Sequence, residues 1–454
     1  MRVVIVGAGT MGQYLADELS REGHNVYLID KDPSRVAEAR ESLDVMAVED
    51  EALDGRVIRE ASLADADMLL AVTNSDEQNI VIAGLAREYG VGLVAARVRD
   101  DFYSLPEAER LLTGCLKIDE IINPDDAATT HMLGLITVPG SLEVFHLAGG
   151  RALLATFPVH GDCPAAGKKL SQMGQTPFDG RFPLAAAVYR SGTIVVPRGG
   201  TELRKGDEAS FIMLRGEAAE FGEWFVPGAK PSKRVMILGA ESIGVKLAAR
   251  LEAADISVTL LDPDHKRCLA ASAMLEKSTV LRGHITEREV ASDTDFSTID
   301  YLVAATSDEE DNIVSAFLAK ELGIKRTMVV TQRAEYVHML RRLRIDSVVN
   351  PRILAAGEVL RFIRKGIVLS VAKVGDDRPG GAEILEFMVS PSSPIAGKKL
   401  KEAGLHPGTL VGLIIEDGKP LVPHGDTEIK PGQRVLVFSV KEALKAVQKT
   451  FAPQ

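Results

Sequence analysis

Aromatic side chains are scarce in this 454-residue chain, at 5% of residues. Stacking platforms for single-stranded nucleic acid are therefore not expected. An excess of positive charge is also missing. The formal net charge is −11, which argues against direct attachment to nucleic acid or to an anionic membrane surface. Three cysteines, Cys115, Cys163 and Cys268, lie far apart with no CxxC pair. Neither a disulfide framework nor a zinc site is expected, and a reducing compartment is the default. No apolar run approaches the ~18–20 residues needed to cross a bilayer. The opening MRVVIVGAG reads as a core strand entering a turn, not as a secretory leader. A cytoplasmic location is expected, with any membrane contact made through another protein.

What the chain does contain is a repeat. RVVIVGAGTMG at the start returns as RVMILGAESIG from Arg234. DMLLAVTNSDEQNI (Asp67–Ile80) returns as DYLVAATSDEEDNI (Asp300–Ile313), LKIDEIINP as LRIDSVVNP, and PAAGKKL as PIAGKKL. The offset stays near about 230 residues, far longer than a solenoid period. Each copy is therefore domain-sized.

Within one copy, Val3–Val6 has the β-branched apolar character of a strand buried on both faces. Met11, Leu15 and Leu19 follow at helical spacing. Further strands are expected at Val26–Ile29, Val45–Val48, Met68–Val72, Val94–Val98 and Cys115–Ile118. Alternating strands and helices imply a doubly wound parallel sheet of Rossmann type. The second part of the copy, with strands at Leu153–Val159, Ala186–Val196 and Ala209–Leu214 and a short helix at Ala166–Met173, reads as a small α+β lobe. The expected fold is thus α/β: two Rossmann lobes, 1–136 and 232–366, each followed by a small α+β lobe, 137–222 and 367–454. Pro227, Gly228 and Pro231 mark the segment Gly216–Ser232 as the link between copies.

The ligand crevice of such a sheet lies beyond the carboxyl ends of its strands. Three loops converge there: Gly7-Ala8-Gly9-Thr10-Met11-Gly12, Asp30, and Thr73-Asn74. Gly7 permits the tight turn, Gly9 lets amides approach a pyrophosphate, and Gly12 allows close packing of helix on strand. The helix N-terminus offers partial positive charge to phosphates. Asp30 stands where a carboxylate accepts hydrogen bonds from ribose hydroxyls, which favours NAD over NADP. Arg97 and Arg99 end the fifth strand on the crevice side and can pair with phosphates or simply form surface ion pairs. In the second copy, Gly239-Ala240-Glu241-Ser242-Ile243-Gly244 puts Glu241 where the middle glycine belongs, and Asp262 keeps the ribose position. Intact dinucleotide binding there, a smaller nucleotide and no ligand are all open readings. The residues aligned with Arg97 and Arg99 are read as Thr331 and Arg333. No catalytic Ser-His-Asp or Cys-His set stands near these loops. The alternative reading, an NAD-dependent oxidoreductase with a duplicated Rossmann domain, rests on the first glycine motif alone.

Both copies together resemble the TrkA family of tandem RCK (also KTN) regulatory subunits of Trk-type potassium uptake systems. The resemblance is carried by VIVGAGTMG, AVTNSDEQNI, ARVR, IDEIINP and PAAGKKL and their second copies, and spans essentially the whole chain. It implies a regulatory protein rather than an enzyme, with NAD(H) in the first N-lobe and ATP or ADP in either. It implies a ring of RCK domains docked on a separate TrkH/TrkG-like potassium-conducting membrane subunit, and no nucleic-acid partner. Carried over by position, the binding residues are Gly7 to Met11, Asp30, Thr73, Asn74 and Arg97, then Gly239 to Ile243, Asp262 and Thr306. The family's Gly-Asp loop after the third strand survives as Gly283-His284-Ile285-Thr286 in the second copy. The first copy reads Asp50-Glu51-Ala52-Leu53, with Glu51 substituting for the acid.

Overall fold

Strands β1 (Arg2–Val6), β2 (Asn25–Asp30), β3 (Met46–Glu49), β4 (Met68–Ala71), β5 (Leu93–Arg97) and β6 (Glu120–Ile122) form one parallel sheet in the order β3-β2-β1-β4-β5-β6. This is the doubly wound order with its switch point between β1 and β4. The geometry comes from a computed structural model that describes residues 1–50, 65–175, 183–287, 290, 294–343, 345–363, 370–374, 382–416 and 419–451. Val3 to Val6 are all buried, as a strand covered on both faces requires. Helix Thr10–Arg21 buries Met11, Leu15 and Leu19 along one stripe.

The sixth strand differs from expectation. Cys115–Ile118 is apolar enough for a strand, yet Leu111–Cys115 forms a π-helical turn and Lys117 takes φ +53°. Leu112 and Ile118 instead fill the core beneath Val91 and Val94, and β6 begins two residues later.

The small lobe holds five antiparallel strands: β7 (Glu143–Leu147), β8 (Ala152–Pro158), β9 (Leu184–Arg190), β10 (Thr193–Val195) and β11 (Glu208–Leu214), in the order β10-β9-β11-β8-β7. β7 was not anticipated. The β9–β10 hairpin turns on Ser191 and Gly192, both left-handed at φ +50° and +81°. The helix expected at Ala166–Met173 is a run of turns followed by a 3₁₀ helix, Leu170–Gln175. The segment Gly216–Ser232 is not wholly a link either. Ala218–Phe225 is a helix, and Phe221 and Phe225 pack with Phe157 and Phe211 at ring separations of 5.0–5.6 Å.

The second copy repeats both sheets. Strands β12 (Arg234–Leu238), β13 (Ser257–Asp262), β14 (Thr279–Arg282), β15 (Tyr301–Ala304), β16 (Arg326–Val330) and β17 (Ser347–Val349) are ordered β14-β13-β12-β15-β16-β17. Then β18 (Ser370–Val374), β19 (Ala382–Met388), β20 (Thr409–Glu416), β21 (Lys419–Leu421) and β22 (Arg434–Val440) repeat the small antiparallel sheet.

The two halves exchange helices. Pro124–Thr137, which follows β6, packs on Ser242–Ala253, the first helix of the second Rossmann lobe. Pro351–Ile363, which follows β17, packs on Thr10–Arg21 of the first. Val359, Leu360 and Phe362 thereby join Leu15 and Leu19 in one core. Burying each such side chain contributes roughly 1.5–3 kcal/mol, so the seam is a core and not a loose contact. Asp126 adds ion pairs to Lys246 at 3.2 Å and Arg250 at 2.9 Å. The two small sheets also share a core, with Ile212 beside Leu413 and Phe438. Among the described residues, no helix is long and apolar enough to cross a membrane.

Candidate nucleotide site

The glycines of the first loop serve two different ends. Gly7 has φ +109°, and a Cβ there would lie 2.9 Å from the Thr73 amide nitrogen. A Cβ at Gly12 would lie 1.8 Å from the Gly7 carbonyl oxygen. Both positions need glycine because the chain folds back on itself. Gly9 is different: a Cβ there meets nothing within 4 Å. Space at Gly9 matters only to something approaching from outside, onto the free amides that begin the helix at Thr10.

Asp30 ends β2 at 9% exposure. One carboxylate oxygen accepts from the Ala8 amide at 2.6 Å and the other from the Asp32 amide at 2.9 Å. Asp30 thus holds the glycine loop in shape while also lining the crevice. Asn79, fully buried, does the same for the next loop. It accepts from the Thr73 amide at 2.9 Å and hydroxyl at 2.7 Å, and donates to the carbonyls of Thr73 at 3.0 Å and Arg97 at 2.9 Å. Asn79 was not singled out from sequence, although it is the penultimate residue of the block AVTNSDEQNI, and the second copy keeps an asparagine there, Asn312. Asp76 joins in, accepting from the amides of Arg99 and Asp100 at 2.8 Å each.

These loops enclose a cavity of about 360 Å³ at the ends of β1, β2 and β4. Gly7, Gly9, Asp30, Thr73 and Asn74 line it, as expected, together with Lys31, Arg35, Asp50, Ser75 and Gln78. Ala8, Thr10, Met11, Gly12, Arg97 and Arg99 do not line it, Ala8 and Met11 being buried. Glu51 lies outside the described residues.

Arg97 stands directly behind Thr73 and Asn74. It is 6% exposed. One terminal nitrogen donates to the Thr73 carbonyl at 3.2 Å and the Asn74 side-chain oxygen at 3.3 Å, while its Nε has no partner. Burial, then Arg99 and Arg352, pull its pKa down to about 10. Arg99 is turned toward Asp125, 3.5 Å away. Arg352 was missed by sequence reasoning. It sits on Pro351–Ile363, from the other half of the chain, and donates to the Thr10 hydroxyl at 2.8 Å.

The TrkA-N domain model matches residues 3–124 and again 235–351, and the TrkA-C domain model matches residues 384–452. The chain belongs to the TrkA family. It is similar to the Trk system potassium uptake protein TrkA of Vibrio alginolyticus, 31% identical over all of this chain and 99% of that protein. It is also similar to that of Halomonas elongata, 30% identical over 99% and 98%. An Archaeoglobus fulgidus homologue is 30% identical over 99% and 100%. Among solved structures, the GsuK channel bound to NAD superposes with a TM-score of 0.61 at 19% identity, over 99% of this chain and 79% of that one. The GsuK RCK domain gives 0.61 at 20% identity, over 99% and 95%. At such identities the likeness to the channel is one of fold.

The second TrkA-N domain has the same skeleton. Gly239 (φ +104°) and Gly244 make the same close approaches as Gly7 and Gly12, down to 1.8 Å from the Gly239 oxygen. Asp262 accepts from the amides of Ala240 at 2.8 Å and Asp264 at 2.7 Å. Asn312 holds Thr306 as Asn79 holds Thr73. Asn312 donates to the carbonyl of Val330, as Asn79 does to that of Arg97. The true counterpart of Arg97 is therefore Val330, not Thr331. The counterpart of Arg99 is Gln332, not Arg333, so both charges are lost.

The difference lies in what fills the crevice. Glu241 accepts from Arg267 at 2.6 Å and from the Ser307 hydroxyl at 2.9 Å. Ser307 stands where Asn74 lines the first cavity. The carboxylate thus spans the two loops that a pyrophosphate would join, with Arg267 neutralising it. Nearby, His284 Nε2 lies 3.0 Å from both oxygens of Asp311 and forms a second strap. Ser242 and Ile243 begin the helix as Thr10 and Met11 do.

Proposed function

We propose that this chain is a nucleotide-responsive regulatory subunit of a Trk-type potassium uptake system. It acts from the cytoplasmic face on a separate TrkH/TrkG-like potassium-conducting subunit. The carrying observation is the open space at Gly9 facing a crevice backed by the buried, incompletely bonded Arg97. A nucleotide fits that donor set. Phosphates rest on the amides at Gly9 to Met11, the ribose on Asp30, and Thr73, Asn74 and Arg97 close the far side. Relatives named for potassium uptake support the transport role, and a fold neighbour described as bound to NAD supports the ligand class. NAD(H) and ADP or ATP are the candidates for the first domain.

Occupancy is read mechanically. A ligand shifts an equilibrium only through different affinities for two states. The helix Pro351–Ile363 touches the first helix of the nucleotide domain and leads into the second small lobe, so a change at Thr10 reaches that lobe directly. Exposed apolar residues on two corresponding helices, Val81 and Leu85, then Val314 and Phe317, suit contacts with further copies in a ring. The test is potassium flux in vesicles holding the membrane subunit and this protein, with ATP, ADP and NADH varied in turn. A coupling of ~1–3 kcal/mol gives a change of roughly fivefold or more. Flux indifferent to all three would end the proposal.

A further inference from the structure

We infer that Arg352, supplied by the second half of the chain, is a phosphate ligand of the first crevice and favours nucleoside di- and triphosphates over dinucleotides. The inference rests on the reading that this crevice takes a nucleotide, and it adds a specificity determinant that the first domain alone lacks.

Arg352 donates to Thr10, the first residue of the helix whose free amides face the crevice. Phosphate oxygens settled on those amides are therefore within reach of its guanidinium. Arg97 and Arg352 have no carboxylate within 4.0 Å among the described residues. Arg99 and Arg352 are both close enough to Arg97 to repel it, and Arg99, then Arg35, are close enough to repel Arg352. Arg35 and Arg99 are partly compensated by Asp30, Asp32 and Asp125. Glu309 is the acid nearest in effect to Arg352. Asp76 and Asp125 offset part of the charge on Arg97 and Glu309 part of that on Arg352, but neither guanidinium forms an ion pair among the described residues, and the Nε of Arg97 is buried without a partner behind the Thr73-Asn74 loop that lines the cavity.

Such a site calls for an anion with more charge than a dinucleotide carries. In a dinucleotide, the pyrophosphate is capped on both sides by ribose. A terminal phosphate presents free oxygens that Arg352 can engage with its planar fork. That contact also ties helix Thr10–Arg21 to helix Pro351–Ile363, so the charge that selects the ligand is carried by the element that relays it.

The experiment is calorimetric titration of the full-length protein with AMP, ADP, ATP and NAD, in wild type, Arg352→Gln and Arg352→Lys. The wild type is expected to bind ADP and ATP more tightly than NAD. Arg352→Gln should lower the ratio of ADP to AMP affinity by roughly tenfold or more, as loss of a charged hydrogen bond does, and change NAD by less than about threefold. Arg352→Lys, which keeps the cation but not the fork, should recover part of the ratio. A general loosening of the pocket lowers all four affinities together and leaves the ratio unmoved, which overturns the inference. Binding of none of the four ligands to wild type would instead remove the nucleotide reading itself.

Discussion

The two Rossmann lobes share a backbone and part company over one glycine. Where backbone meets backbone, at Gly7 and Gly12 and at Gly239 and Gly244, both lobes keep glycine. Where only an incoming molecule needs room, the first keeps Gly9 and the second installs Glu241. The second lobe then completes the change. Arg267 and Ser307 hold the new carboxylate, Val330 replaces Arg97, and the next helix opens with Glu309, Glu310 and Asp311 where the first has Asp76 and Glu77. A carboxylate paired with Arg267 stands where phosphate would have to sit. The same motif can thus be kept for folding in one copy and leave room before the helix N-terminus in the other.

The sharpest way to probe what is common is to strike the shared skeleton. Gly12→Ala and Gly244→Ala each force a Cβ to within 1.8 Å of a carbonyl oxygen, and each should destabilise its own lobe by roughly 3 kcal/mol or more. Hydrogen exchange resolved by lobe is the suitable readout, because a four-lobed chain need not unfold in one step. A large cost in one lobe and none in the other would show that the skeletons are not equivalent.

What differs is tested by exchanging the deciding residue. Gly9→Glu places a carboxylate opposite Arg35, the counterpart of Arg267. It should weaken nucleotide binding to the first lobe about a hundredfold, ~2.7 kcal/mol, with no loss of melting temperature, since the position is open. Unchanged affinity would place the ligand elsewhere. The reverse change, Glu241→Gly, should raise calorimetric stoichiometry from one nucleotide per chain toward two, at weaker affinity because Arg97 has no equivalent there. Two sites already present in wild type would show that Glu241 does not close the second crevice.

The smallest effect separates scaffold from contact within one residue. Asp262→Asn leaves a backbone amide facing another donor and should cost about 1–2 kcal/mol of lobe stability without altering nucleotide affinity. Asp30→Asn should cost a similar amount and also weaken binding. If both variants bind normally, the carboxylate at this position serves the loop alone.

Local chemistry made much of this legible in the sequence. The buried run Val3–Val6, the glycine turn and the Met11-Leu15-Leu19 stripe announce strand, loop and helix, and the ordered repeat announces two copies. Local pattern misleads where tertiary packing overrides it. Leu112 and Ile118 are apolar because they lie under the sheet, not because they are in a strand. Ala218–Phe225 sits beside turn residues, yet its phenylalanines complete the core of the small lobe. The slip between Val330 and Thr331 is one residue, which in a strand exchanges the two faces. Arg352 could not be read at all. It lies more than three hundred residues from Thr10, in the opposite copy, and only the exchanged helices bring the two together.

Those exchanged helices have one more effect. Partners that meet by diffusion separate when they become scarce, and their response then depends on abundance as well as on signal. Here the exchange is made within a single polypeptide, so the local concentration of each half around the other is set by the connecting segment and does not fall on dilution. The open crevice therefore keeps helix Pro351–Ile363 beside it at any dilution.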